Sequence, residues 1–90
     1  MKKIGDELKN VSGGYSKSSK FNVNDCFERV YSDSNIVYYK VKEIIETPTG
    51  YEYICDQWSV LSGVVSKQTY QHINESSLSI SKKIDYIPCE

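Results

Sequence analysis

The spacing of apolar side chains changes character partway along this 90-residue chain. Within residues 3–12, Ile4, Leu8 and Val11 stand at i, i+4 and i+7 with polar residues between them. That spacing puts three apolar side chains on one face of a short helix. Gly13-Gly14 then stops it, because glycine accepts the left-handed conformation in which helices end. The segment Tyr15-Ser16-Lys17-Ser18-Ser19-Lys20 is small and polar, a linker composition that sets a domain boundary at 15–20.

From Phe21 onward the pattern is that of strands. Cys26 to Tyr31 reads as the first, followed by the turn cluster Ser32-Asp33-Ser34-Asn35. Ile36 to Glu46 is a long run in which Val37, Tyr39, Val41 and Ile45 are expected to share one face. Thr47-Pro48-Thr49-Gly50 is a hairpin connection, with proline presetting one turn angle and glycine supplying a positive φ. Tyr51 to Trp58 returns as the partner strand, Ser59 to Gly63 is expected to be a loop, and Val64 to Tyr70 a further strand. Gln71 to Ser77 fits either a turn of helix or a loop, and Leu78 to Ile84 a short edge strand whose lysines discourage edge-to-edge pairing. These elements predict a mainly β domain over 21–90, a small antiparallel barrel or curled sheet, behind a short helical or disordered leader.

Composition supports the strand reading. The chain has eight Tyr, and Val and Ile far outnumber Ala. β-Branched and aromatic residues suit a pleated, half-buried surface. A net charge of −1 supplies no basic field, and Lys2-Lys3 and Lys82-Lys83 are isolated pairs at opposite ends, so no nucleic-acid partner is expected. No apolar run approaches the roughly 20 residues of a membrane-spanning helix, and the amino terminus lacks the apolar stretch of a general secretory signal.

Three cysteines, Cys26, Cys55 and Cys89, accompany a single histidine, His72. With no C-x-x-C pair, no metal site is expected, and no cofactor is implied. Cys26 and Cys55 read either as small buried strand residues or as a disulfide formed in an oxidising compartment. Cys89 is left free or joins two chains. A cysteine with His72 and Asp56 would supply the residue types of a nucleophile, base and orienter, but no cysteine-enzyme signature surrounds them and no enzyme is expected. Tyr31, Tyr38, Tyr51, Tyr53, Trp58 and Tyr70 form an aromatic set. Such residues either fill a core poor in Leu and Phe or form a recognition face, for which Tyr38, Tyr51, Tyr53 and Trp58 are the candidates.

Two resemblances add to this. Phe21-Asn22-Val23-Asn24-Asp25-Cys26-Phe27, followed by Val37-Tyr38-Tyr39-Lys40-Val41, is similar to the opening strands of SH3-like barrels. Asn24 stands where that family's turn usually has Gly, and asparagine tolerates the left-handed region. The resemblance implies an SH3-like barrel. Residues 4–14 resemble the double-glycine leaders of colicin-V-type microcins and class II bacteriocins, through Glu7, Leu8, Val11, Gly13 and Gly14. Ile4 serves as the further apolar contact, one position closer to the cut than is usual. Such leaders are recognised by ATP-driven exporters carrying a papain-like peptidase domain, which cuts after the second glycine, here between Gly14 and Tyr15.

The chemistry suits the residue types. Two glycines let the backbone lie in a narrow cleft where a thiolate must reach the scissile carbonyl. Leu8 and Val11, three apart, enter a hydrophobic groove together, with Ile4 a turn upstream and Glu7 at the rim. The resemblance implies a small secreted bacterial protein, cytoplasmic before export, whose β domain binds an unknown extracellular target. The polar, Tyr-rich, strand-patterned body departs from the Gly-rich membrane-active cargo usual in that class, so insertion into membranes is not expected. The alternative is an intracellular SH3-like adaptor, bacterial or phage, with a structural amino-terminal helix.

Overall fold

The computed structural model of the chain describes residues 19–90. The expected leader helix, its recognition residues Ile4, Glu7, Leu8 and Val11, and the cut at Gly13-Gly14-Tyr15 lie outside the described residues.

Among the described residues, five strands and one short helix follow in chain order: β1 (Cys26–Ser32), β2 (Asn35–Thr47), β3 (Gly50–Leu61), β4 (Val64–Asn74), α1 (Glu75–Ser79) and β5 (Lys82–Ile84). They form one antiparallel sheet in the spatial order β4-β3-β2-β1-β5. The domain is mainly β, as expected, but the sheet does not close into a barrel. Its outermost strands never meet, because β5 has three residues and reaches only Cys26, Phe27 and Glu28 of β1.

The turns explain most departures from the expected boundaries. The Thr47-to-Gly50 hairpin forms, with Thr47 opposite Gly50 and a φ of +149° at the glycine. Ser59 to Leu61, expected to be loop, extends β3 instead. Ser62 and Gly63 take φ of +50° and +81°, so two residues suffice to join Leu61 to Val64. Paired positive φ values match the right-handed twist of the strands they connect. Asn24 is left-handed too, at +77°.

Beyond β4, Asn74 caps α1 by accepting a hydrogen bond from the Ser77 N–H at 2.8 Å. A side-chain oxygen there satisfies one of the donors a helix start leaves unpaired. The helix consumes Leu78 and Ser79, so only Lys82 to Ile84 of the expected last strand is extended.

Alternation along the strands divides the core between the two faces of the sheet. On one face, Phe27, Val37, Tyr39, Val41, Tyr53 and Cys55 pack under Leu78 of α1, with Phe21, Ile44, Tyr51 and Ile73 around them. On the other, Cys26, Tyr38 and Trp58 lie under Ile87 of the carboxy-terminal segment, with Ile36, Val60, Ile84 and Cys89 at the margin. Lys40 holds Glu90 at 2.9 Å and so fixes the end of that segment.

The sheet is bent by two bulges that flank β3 at one level. Lys42 is an extra residue in β2, between Val41 opposite Cys55 and Glu43 opposite Ile54. Thr69 and Tyr70 together stand against Asp56, between Gln68 opposite Gln57 and Gln71 opposite Cys55. An inserted residue flips every later side chain in its strand to the other face. Ile44, not Ile45, therefore joins Val37, Tyr39 and Val41, and Ile45 is exposed.

Candidate functional site

Tyr38, Tyr51, Tyr53 and Trp58, which read either as core or as a recognition face, are mostly core. Tyr53 has no exposed surface, and Tyr38 and Trp58 retain 8% and 3%. Tyr38 and Trp58 face one side of the sheet, while Tyr53 and the half-buried Tyr51 face the other. They make no common surface. Their size is spent on filling a thin domain that has few leucines.

Tyr53 is also a structural hub. Its hydroxyl donates to Glu75 Oε2 at 2.7 Å and accepts the Phe21 N–H at 3.3 Å. The same carboxylate oxygen accepts the Lys20 N–H at 3.3 Å, and Lys20 Nζ reaches Ser79 Oγ at 3.1 Å. Burial, reinforced by the bond to Glu75, raises the Tyr53 pKa. Lys20, the last residue of the expected linker, and Phe21, the first of the expected body, are thus tied to β3 and α1.

The cysteines do not converge. Cys26 lies opposite Lys40 and Cys55 opposite the next residue, Val41, so alternation points the two thiols to opposite faces. Both are free and buried, each in its own core cluster, which matches the buried-residue alternative and not the disulfide. Burial, with Asp56 adding to it, pushes the Cys55 thiol up to about 12. A thiol so raised is a poor nucleophile. His72 shares the face opposite Cys55 and sets Nδ1 3.1 Å from Glu52 Oε1, not near sulfur. Among the described residues no three His, Cys, Asp or Glu side chains gather as a metal site, and no helix is long and apolar enough to cross a membrane.

What the two bulges create is a hollow. A groove of about 550 Å³ opens beside β3, lined by Lys42, Glu43, Ile54, Asp56, Thr69 and Tyr70. Lys42 comes from one bulge and Thr69 and Tyr70 from the other, so the irregularities of two strands supply its walls. Ile54 is buried and gives it an apolar element between charged and hydroxyl-bearing rims. Asp56 also faces Lys67, at 3.9 Å, whose ammonium lies 5.0 Å from the Trp58 ring centre.

Tyr70 is the anomaly in this groove. It is 77% exposed, and its φ of +56° is left-handed. Non-glycine residues reach that region at a cost of about 1–3 kcal/mol, and such residues cluster at functional sites. Asn24 and Ser62 share the conformation, but each sits in a turn between elements. Tyr70 takes it inside a strand and holds its ring in water.

The groove was only partly visible in the sequence. Tyr70 falls in the aromatic set and Asp56 among the candidate chemical groups, whereas Lys42, Glu43 and Thr69 carry no motif of their own. The signal was there in Val41-Lys42-Glu43-Ile44, where two successive polar residues break the alternation. The chain matches no family model, and neither curated proteins nor solved structures include one similar to it.

Proposed function

We propose that the chain is a bacterial export substrate of the double-glycine type whose β domain is a binding module acting outside the producing cell. The observation that carries this reading is the conjunction of Glu7-Leu8, Val11 and Gly13-Gly14, followed by a small, polar segment. Residues 4–14 carry the leader motif, and the described members of the two core clusters run from Phe21 to Cys89. A cut between Gly14 and Tyr15 removes none of these described members. Among the described residues, Lys20 and Phe21 are tied to α1 and β3.

For the exported body we assign recognition to the bulge groove, with Tyr70 as anchor. An exposed aromatic ring brings large contact area at small entropic cost, and such residues dominate binding energies. Charges of both signs at Lys42, Glu43 and Asp56 supply orientation. The partners are then the peptidase-bearing exporter before the cut and an extracellular protein or ligand after it.

Incubating the full chain with an isolated double-glycine peptidase domain tests the first half. The account expects a product beginning at Tyr15, and none from Gly14→Val, whose side chain collides with the cleft. Cleavage elsewhere, or equal cutting of the variant, overturns the reading.

A further inference from the structure

The two edges of the sheet are built differently. One ends in β5, three residues long with Lys82 and Lys83 exposed, the design that natural sheets use to prevent edge pairing. The other is β4, eleven residues long and exposed continuously from Val64 to Tyr70. Lys67 is the only charged residue in that exposed stretch, and its ammonium is drawn over Trp58 and toward Asp56. It does not guard the edge.

The hairpin determines which backbone groups that edge offers. In a two-residue hairpin the flanking pair, here Leu61 and Val64, exchanges hydrogen bonds, and hydrogen-bonded pairs then alternate with non-bonded ones. Ser66 and Gln68 therefore bond inward to Ser59 and Gln57. Val65 and Lys67, opposite Val60 and Trp58, turn their N–H and C=O groups outward. Among the described residues no partner receives them.

We infer that this edge pairs with a second copy of the same chain, β4 against β4, about a two-fold axis through Ser66. In that register Val65 of each copy faces Lys67 of the other, so every outward-facing group of Val65 and Lys67 is satisfied in four hydrogen bonds. No two like charges stand opposite. Shifting the axis to Lys67 sets lysine against lysine, which is destabilising. Shifting it to Val65 leaves only one residue pair bonded, since Lys67 then faces the Gly63 turn. Self-complementarity of this kind is what an isologous interface requires.

Antiparallel edge pairing places the two-fold axis perpendicular to the sheet, so corresponding faces of the two copies point the same way. The row Val30, Ile36, Val60 and Val65, which crosses four strands at one level on the Trp58 face, then runs toward its counterpart in the second copy. Each Tyr70 lies four residues from the axis, about 13 Å along the strand. The dimer presents its two grooves on one side, an arrangement suited to bivalent binding.

At the axis, a non-hydrogen-bonded antiparallel pair brings Cα atoms to about 4.5 Å, within disulfide reach. The test uses the full chain carrying Cys89→Ser, which removes the one cysteine that is not buried. Sedimentation equilibrium is expected to give twice the mass of one chain, and Ser66→Cys to yield a covalent dimer on mild oxidation. Val65→Pro deletes an outward N–H without touching the bonds to β3 and is expected to return a folded monomer. A chain that stays monomeric at millimolar concentration overturns the inference. So does a Ser66→Cys variant that does not cross-link, or a Val65→Pro variant that remains dimeric. If Val65→Pro fails to fold, the Ser66→Cys cross-link decides.

Discussion

Tyr53 and Cys55 stand two residues apart on one strand and show how burial sets the behaviour of single groups. Tyr53 combines full burial with a donated bond to a carboxylate, at 2.7 Å. Hydrogen bonds to charged partners contribute about 1.5–3 kcal/mol. Tyr53→Phe is therefore expected to lower stability by roughly 2 kcal/mol in urea denaturation, with the strand content unchanged. A loss below about 0.5 kcal/mol would mean that water replaces the bond. Cys55 acts through pH. Its unfolded thiol titrates near 9.0 and its folded one near 12. Below pH 9 both states hold the proton and the stability is intact. Between the two values the unfolded chain ionises first, so stability falls by up to roughly 4 kcal/mol as pH rises. Tyr38, Tyr39 and Tyr53, all raised chiefly by burial, steepen the loss above pH 10. Denaturation midpoints at pH 8 and pH 10.5 measure it, and Cys55→Ala should flatten the dependence. None of this was legible in the sequence: a cysteine on a strand reads equally as a buried thiol or half of a disulfide until the register gives its face.

At the scale of elements, the strands were legible because alternation and turn chemistry agreed. The Thr47-to-Gly50 hairpin and its two long arms follow from proline, glycine and β-branched content alone. Expected and observed elements differ at the bulges, where alternation breaks locally, and around Ser59 to Gly63, where serine-rich composition disguises a strand closed by a two-residue turn. Tyr70 marks one bulge, and its left-handed backbone separates stability from recognition. Tyr70→Gly removes the Cβ strain, offset in part by the added freedom of the unfolded chain. It is expected to raise stability by roughly 0.5–1 kcal/mol while weakening target binding at least tenfold, the loss expected of an aromatic anchor. A thermal melt and a binding isotherm on the same sample check both. A stability loss with binding unchanged would make Tyr70 an ordinary strand residue.

The whole molecule is a thin sheet with a small core on each face, one closed by Leu78 and Phe21, the other by Ile87. A domain this small buries a limited fraction of its surface, which explains why its aromatic residues are largely spent on packing. Fold class followed from composition and strand count, but barrel closure did not, because nothing in Leu78 to Ile84 announced that a helix would shorten the last strand to three residues. The leader rests on residue types and spacing at Ile4, Glu7, Leu8, Val11, Gly13 and Gly14. The most direct measurement is the intact mass of the protein recovered from the medium of producing cells. One species beginning at Tyr15 is expected; full-length chain confined to the cells, with none outside, would contradict the export reading.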